Sequence, residues 1–336
     1  MTAKDFNTVA NAPQSYVFDL DREVAAFYRD HPEQKKKIFF IDASTPQGTL
    51  YRGEETDGGE IEALLRTNVD YEKGLKEAQE EGSKFQAYLG RDNYGCVFLT
   101  LSKPGHKDIL GSAATESMSQ AFIFDHETGH LLCRDGLGGF NIGECVADAY
   151  ATLQFIRRFG KDSASVLQKL VDLRAVEIAF GEDGDHFTSP VVEKILADSQ
   201  KTDFSALTPS EIRAQAQSYA LNNALDPMLI GHIVKNFRAL RLRPEEILER
   251  DFSAIKGLGD LVMTTILPEE GKWGAVAVRA LLEGQASFGG LKMPKPIGSE
   301  WTFLRQAVEV CASQFDKPQP KLLVISQDKK LIIPGQ

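Results

Sequence analysis

The sequence predicts an α+β fold: a small N-terminal α/β lobe with a few strands, then a mainly helical core and a C-terminal helical domain. Two observations carry this prediction. Short β-rich apolar runs at 37–42 and 96–101 are typical of buried strands, and helical patterns follow one another from about residue 114. A length of 336 residues suggests roughly two domains. We divide the chain into an N-terminal lobe at 1–112, a core at 113–200 and a C-terminal domain at 201–336.

The N-terminal lobe mixes strand and helix signals. Charged residues flank the apolar run at 37–42, as expected of a strand end. From about Glu60 to Leu89 the chain is rich in Glu, Lys, Ala and Leu, which predicts helix ending at Gly90. A turn-like segment at 91–95 then leads into the strand at 96–101.

Helical patterns dominate after the lobe. A capping box with proline at the first helical position, Thr208-Pro209-Ser210-Glu211, predicts a further helix start. We take 201–206 as the boundary of the C-terminal domain, expect helices to about residue 313, and expect a β-hairpin or an edge strand in the tail. The four helices predicted before that boundary are 114–133, 141–159, 163–179 and 189–199.

Composition excludes several classes of protein. There are 38 Lys and Arg against 48 Asp and Glu, a net charge of −10, so we expect no nucleic-acid partner. We also expect no membrane partner, since no run approaches the roughly 18–20 apolar residues of a membrane span. The N-terminus shows no signal-peptide pattern. Four cysteines form no CxxC pair, which favours a cytoplasmic protein with buried thiols, although a Cys133–Cys145 disulfide and leaderless export stay open.

The segment His126-Glu127-Thr128-Gly129-His130 contains HExxH. Residues four apart share one helix face, so His126 and His130 can present two imidazoles to one metal ion. Glu127 would then lie beside the metal, where a carboxylate can take a proton from bound water. Gly129 weakens helix propensity, which predicts that something packs closely there. The alternative is an ordinary surface helix with two histidines.

A second predicted helix follows and carries Glu144 and Asp148. If it returns antiparallel, Glu144 can act as a third ligand, while Asp148, one turn later, can accept a hydrogen bond from a ligand imidazole. The helix is otherwise mostly apolar, so its carboxylates need partners. Two His and one Glu are the ligands of a hydrolytic rather than a structural zinc site. A solvated acidic face is the alternative.

HExxH followed by ExxxD resembles the gluzincin zinc peptidases, including the thermolysin-like enzymes, over roughly residues 122–196. The later segment Gly184–Lys194, with His186 before a helix, is similar to theirs as well. The resemblance implies a zincin-like core at 113–200 and one Zn²⁺ per chain. It implies that His126, His130 and Glu144 are ligands and Asp148 a second-layer partner. It also implies that Glu127 is the general base and that His186 stabilises the oxyanion.

The residues alone leave the oxyanion donor open. His186 lies in an acidic loop before a helix that starts at Ser189-Pro190, and loops held by rigid helices often carry catalytic groups. Tyr94 and Tyr150 are the rival donors. The other histidines, His31, His106 and His232, are expected to be structural or exposed.

The predicted function is that of a zinc metallopeptidase acting on a peptide or protein substrate, with no prediction of oligomeric state. An extended substrate could add to the edge of the strand at 96–101. Asp125 is expected to join the carboxylates around the metal, and Glu182, Asp183 and Asp185 to favour basic substrates. The alternatives are a non-peptidase zinc hydrolase, an inactive metallo-domain, or a helical interaction or nucleic-acid-binding protein with a hairpin at 255–261.

Overall fold

The structure is a computed structural model of the chain. It describes residues 16–50, 65–66, 71–81, 85–89, 94–99, 109–110, 114–133, 140–160, 163–180, 184–225, 227 and 230–231. Several predictions lie outside these residues: the chain beyond 231 with its tail strands and 255–261 hairpin, and also His106, Glu182, Asp183, His232 and Cys311.

Four strands form one mixed sheet in the described part of the chain, in the order β2-β1-β4-β3. The central pair, β1 and β4, is parallel, and both outer strands pair antiparallel. Parallel central strands covered on both faces are continuously apolar, which explains the two apolar runs. The strands are β1 (Ile38–Asp42), β2 (Thr49–Leu50), β3 (Phe85–Leu89) and β4 (Gly95–Leu99).

Helices account for most of the rest. The capping box at Thr208 and Glu211 is present with both of its hydrogen bonds, and Thr115 caps the helix that carries HExxH. The predicted helices from 114 to 199 are confirmed to within two residues at each end. The helices are α1 (Leu20–Asp30), α2 (Tyr71–Glu81), α3 (Glu116–Leu132), α4 (Phe140–Phe159), α5 (Ala164–Phe180), α6 (Ser189–Ser199) and α7 (Pro209–Asn223).

The two faces of the sheet bury different partners, as the alternation of side chains along a strand requires. On one face, Phe40 and Val97 join a large core with α1, α3 and α4. On the other, Phe39 and Phe98 pack with Tyr71 and the rest of α2. The large core continues through α5 and α6 to α7, whose Ile212, Ala216 and Ala220 are buried in it. The proposed division into three domains stays a prediction.

Two predictions about the N-terminal lobe are wrong. Residues 85–89 form strand β3 rather than the end of a helix, since the helix stops at Glu81 and β3 pairs with β4 along its whole length. The strand predicted at 96–101 is observed at Gly95–Leu99, but it lies between β1 and β3. Both of its edges are therefore occupied, and it cannot accept a substrate strand.

The α+β class is confirmed for the described residues. Among them, Cys96, Cys133 and Cys145 are free and buried, as predicted, which removes the Cys133–Cys145 disulfide. None of the described helices combines the length and apolar character needed to cross a membrane.

Candidate metal centre

Helices α3 and α4 approach each other closely at Gly129. A side-chain carbon at this position would lie 3.1 Å from the Ala147 Cα and 3.2 Å from the Tyr150 Cβ, tighter than ordinary van der Waals contact. The predicted close packing at Gly129 is therefore present. This contact brings the functional side chains of the two helices together. His126 and His130 lie three residues before and one residue after Gly129, and Glu144 and Asp148 lie at the same offsets from Ala147.

Three potential ligand side chains converge between the two helices. The Nε2 atoms of His126 and His130 are 3.1 Å apart. The Glu144 carboxylate lies 3.3 Å from His126 Nε2 through Oε2 and 3.4 Å from His130 Nε2 through Oε1. Ligands about 2.0–2.1 Å from a tetrahedral ion lie roughly 3.3 Å from one another. The spacing of these three side chains fits one metal ion.

The electrostatics of the cluster also fit a cation. Glu144 Oε2 is buried and makes no hydrogen bond of good geometry within the described residues. Burial would raise the pKa of Glu144, but the imidazoles of His126 and His130 outweigh it and hold that pKa well below its usual range. Burial would lower the pKa of His126, but Asp148 and Glu144 outweigh it and raise the pKa to about 10. The cluster therefore favours a shared positive charge, which either a proton or a metal ion can supply.

Asp148 contacts His126 at the ring nitrogen that lies away from the cluster. Its Oδ1 lies 2.7 Å from His126 Nδ1, so a proton on Nδ1 leaves the Nε2 lone pair directed into the cluster. Asp148 is completely buried. Burial would raise its pKa, but Arg174 and His126 outweigh that effect and hold the pKa well below its usual range.

Glu127 lies beside the cluster and faces strand β3. The backbone N–H of Ala87 donates to Glu127 Oε2 at 2.6 Å. Burial raises the pKa of Glu127, against the opposing effects of His126, His130 and the Ala87 amide. The carboxylate is thus placed between the two imidazoles and the sheet.

His186 reaches the cluster from the loop before α6. Its Nε2 is 3.5 Å from Glu144 Oε2, and 51 % of its side chain is exposed. Asn141 on α4 holds this loop, since its Nδ2 donates to the carbonyls of Asp185 at 2.9 Å and Phe187 at 3.2 Å. His186 is therefore available to a ligand that approaches Glu144.

Three residues predicted near the metal lie elsewhere. Tyr150 is buried beside the Gly129 contact, and its hydroxyl contacts His31 and Gln154 rather than the ligand cluster. Tyr94 packs on the face of the sheet that contacts α2. Asp125 turns away from the cluster and pairs with Arg158 at 2.6 Å. His31 is buried beside Tyr150, which agrees with a structural role.

Sequence reasoning missed Arg174 and Thr188, which both donate to Asp148 Oδ2, and it gave no role to Asn141. A signal for Arg174 was available. It follows the apolar run around Leu170 and Val171 on a helix, where a charged side chain needs a partner. Thr188 and Asn141 carry no comparable signal, because their partners come from distant parts of the chain.

Searches of protein families, of curated proteins and of solved structures find no match to this chain. What the structure provides is a group of three residues, His126, His130 and Glu144, that could hold a metal ion.

Proposed function

We propose that this protein is a zinc-dependent hydrolase with a gluzincin-like centre, and that it cleaves peptide bonds. One observation carries the proposal: the Nε2 atoms of His126 and His130 lie 3.1 Å apart, and each lies 3.3–3.4 Å from an oxygen of the Glu144 carboxylate. Two histidines and a glutamate leave a coordination position open for water or substrate, as in hydrolytic zinc sites. Nitrogen-rich ligation disfavours Mg²⁺ and Ca²⁺, which prefer oxygen.

The proposed roles follow the positions of the side chains. Zinc, when bound, supplies Lewis acidity, which lowers the pKa of water and polarises a carbonyl. Glu127 takes the proton of the attacking water on its carboxylate and later donates it to the leaving nitrogen. His186, exposed beside Glu144, donates a hydrogen bond to the charge that develops on the carbonyl oxygen. Asp148 keeps His126 in the tautomer that binds metal.

The outer side of strand β3 supports a peptide as the substrate. In an antiparallel pair, successive residues direct their backbone groups alternately toward and away from the partner strand. Because the Ala87 N–H donates to Glu127, Ala87 directs its backbone away from β4 and toward the metal centre. β3 is the terminal strand of the described sheet on this side. We therefore propose that a peptide substrate adds to the outer edge of β3, since β4 is internal to the sheet.

One alternative has a specific observation in its favour. The Ala87 amide occupies Glu127 Oε2, which would suit a metal-binding domain without hydrolytic activity. A non-peptidase zinc hydrolase is the other alternative and would use the same residues on an ester or non-peptide amide.

The deciding experiment compares the wild type with Glu127→Gln in zinc content and in hydrolysis of a mixed peptide library. We expect E127Q to keep zinc and to lose cleavage by at least about 10²-fold. The matched control is Glu72→Gln on α2, an exposed glutamate, which should cleave like wild type. Equal cleavage by wild type and E127Q contradicts the proposed mechanism. A zinc-loaded wild type that cleaves esters and no peptides selects the non-peptidase alternative.

A further inference from the structure

Asp148 is saturated with hydrogen bonds. A carboxylate has about four lone-pair sites, and four donor contacts reach Asp148. His126 Nδ1 lies 2.7 Å and Arg174 Nη2 3.1 Å from Oδ1, while Arg174 Nε lies 2.8 Å from Oδ2, where the Thr188 hydroxyl also donates. The carboxylate cannot turn without breaking several of these contacts.

Arg174 binds Asp148 side-on through two nitrogens. This two-point contact fixes the plane of the carboxylate as well as its distance, which a single ammonium cannot do. Arg174 comes from α5, whereas Asp148 is on α4 and His126 on α3. Both Arg174 and Asp148 are buried, so the guanidinium also balances a charge that water cannot reach.

Thr188 gives independent support. It occupies the N-cap position of α6, where a threonine hydroxyl ordinarily accepts from the first turn of the helix. It makes no such side-chain contact, and its hydroxyl donates to Asp148 instead. A residue well placed to cap a helix is thus directed at the carboxylate that holds His126.

We propose that Arg174 and Thr188 are positioning residues of the metal centre, which hold Asp148 in the orientation that directs His126 Nε2 toward His130 and Glu144. Both residues bind the Asp148 carboxylate directly and act through it. The inference rests on the proposed metal site and adds the residues that set its affinity.

The test measures zinc affinity by competition with a chromophoric chelator, on full-length protein whose folding is checked by circular dichroism. We expect Arg174→Met to weaken zinc binding about 10–100-fold, the usual range for partners behind a ligand. Arg174→Lys keeps the charge without the two-point contact and should weaken binding to an intermediate degree. Thr188→Val should weaken it severalfold, and it keeps the assay possible if R174M fails to fold.

The matched control is Arg158→Met. Arg158 also makes a two-point contact with a buried aspartate, Asp125, which directly precedes His126. It should lose stability and keep wild-type zinc affinity. A second readout is the visible spectrum of the Co²⁺-substituted protein, which reports ligand geometry and should change in R174K and not in R158M.

The outcomes separate the two proposals. Wild-type zinc affinity in both R174K and T188V overturns the positioning role, and so does an equal loss of zinc affinity in R174M and R158M. Either result leaves the proposed function intact. A wild-type protein that binds neither zinc nor cobalt overturns both.

Discussion

Gly129 on α3 lies so close to Ala147 on α4 that an added methyl group would come within 3.1 Å of the Ala147 Cα. The atoms in the way are the Cα and carbonyl oxygen of Ala147 and the Cβ of Tyr150, none of which can rotate aside. This contact sets the spacing of the two helices that carry the candidate ligands. The geometry of the candidate metal centre therefore depends on a residue that has no ligand atom.

Gly129→Ala should separate the helices. We expect a loss of about 1–3 kcal/mol in the free energy of unfolding from overpacking, and weaker zinc binding as the ligand atoms move apart. Gly143→Ala on α4 is the matched control, because a carbon added there meets nothing within 4 Å. It should gain up to about 1 kcal/mol from helix propensity. Denaturant unfolding measures the stability of both variants. A G129A variant as stable as the wild type would contradict this account of the contact.

Zinc binding should release protons. Two carboxylates raise the pKa of His126 to about 10, against the effect of burial, so at pH 7 the metal-free imidazole holds a proton that a metal must displace. Zinc affinity should consequently rise with pH up to that pKa and fall as the solution is acidified. Calorimetry of zinc binding in buffers of different ionisation enthalpy measures the number of protons released. Glu144→Ala, which should bind almost no zinc, is the control for heat that does not come from the site. Binding without proton release at pH 7 would show that His126 is neutral.

In the metal-free protein, a rise in pH should have an unfavourable effect: it should lower the free energy of unfolding. The pKa of His126 is higher in the folded state than the usual value of about 6.5, so its contribution to stability is fully present below about pH 6.5. It is lost as the pH rises toward 10. Thermal unfolding of chelator-treated protein should show this decline, and His126→Asn should flatten it. An equal decline in that variant would assign the effect to other groups.

Asn141 should control His186 without affecting the metal. Its side chain donates to the carbonyls on either side of His186, so Asn141→Ala frees the loop. We expect a loss of about 1–3 kcal/mol in stability and a lower kcat, with zinc content unchanged. Asn222→Ala, at an exposed asparagine on α7, is the control. A loss of zinc with an unchanged kcat would mean that the loop supports the ligands instead.

Strand β3 offers a test of the substrate edge by proline substitution. Ala87 directs its N–H away from β4, so Ala87→Pro removes the contact with Glu127 and spares the ladder. The protein should fold, and because the proline ring takes the place of the outward N–H, it should obstruct the outer edge of β3 and raise KM for peptides. Gln86→Pro, at the neighbouring residue whose backbone faces β4, should instead destabilise the sheet. Unchanged peptide kinetics in folded A87P would remove β3 from substrate binding.

Local periodicity accounts for what the sequence predicted well. His126 and His130 share a face because they are four apart, and the apolar character of α4 indicated that Glu144 and Asp148 need partners. The same rule explains two errors, since each step along a helix turns the side chain by about 100°. Asp125 lies about 120° around α3 from the midpoint of His126 and His130, compared with about 80° for Glu127, and Tyr150 lies about 140° around α4 from the midpoint of Glu144 and Asp148. Both therefore face away from the cluster.

Pairings distant in sequence could not be predicted in this way. β3 at Phe85–Leu89 follows a helical composition, and only its pairing with β4 decides its conformation. The donors from Arg174 and Thr188 to Asp148 likewise depend on how α5 and α6 pack on α4. Spacing along the chain does not encode that packing.

The central claim is that His126, His130 and Glu144 hold one metal ion. The most direct test is the metal content of purified wild type beside Glu144→Ala, measured by inductively coupled plasma mass spectrometry after dialysis against a zinc buffer. We predict one zinc per chain in the wild type and almost none in E144A. Zinc equal in the two proteins, or absent from the wild type, would contradict the site.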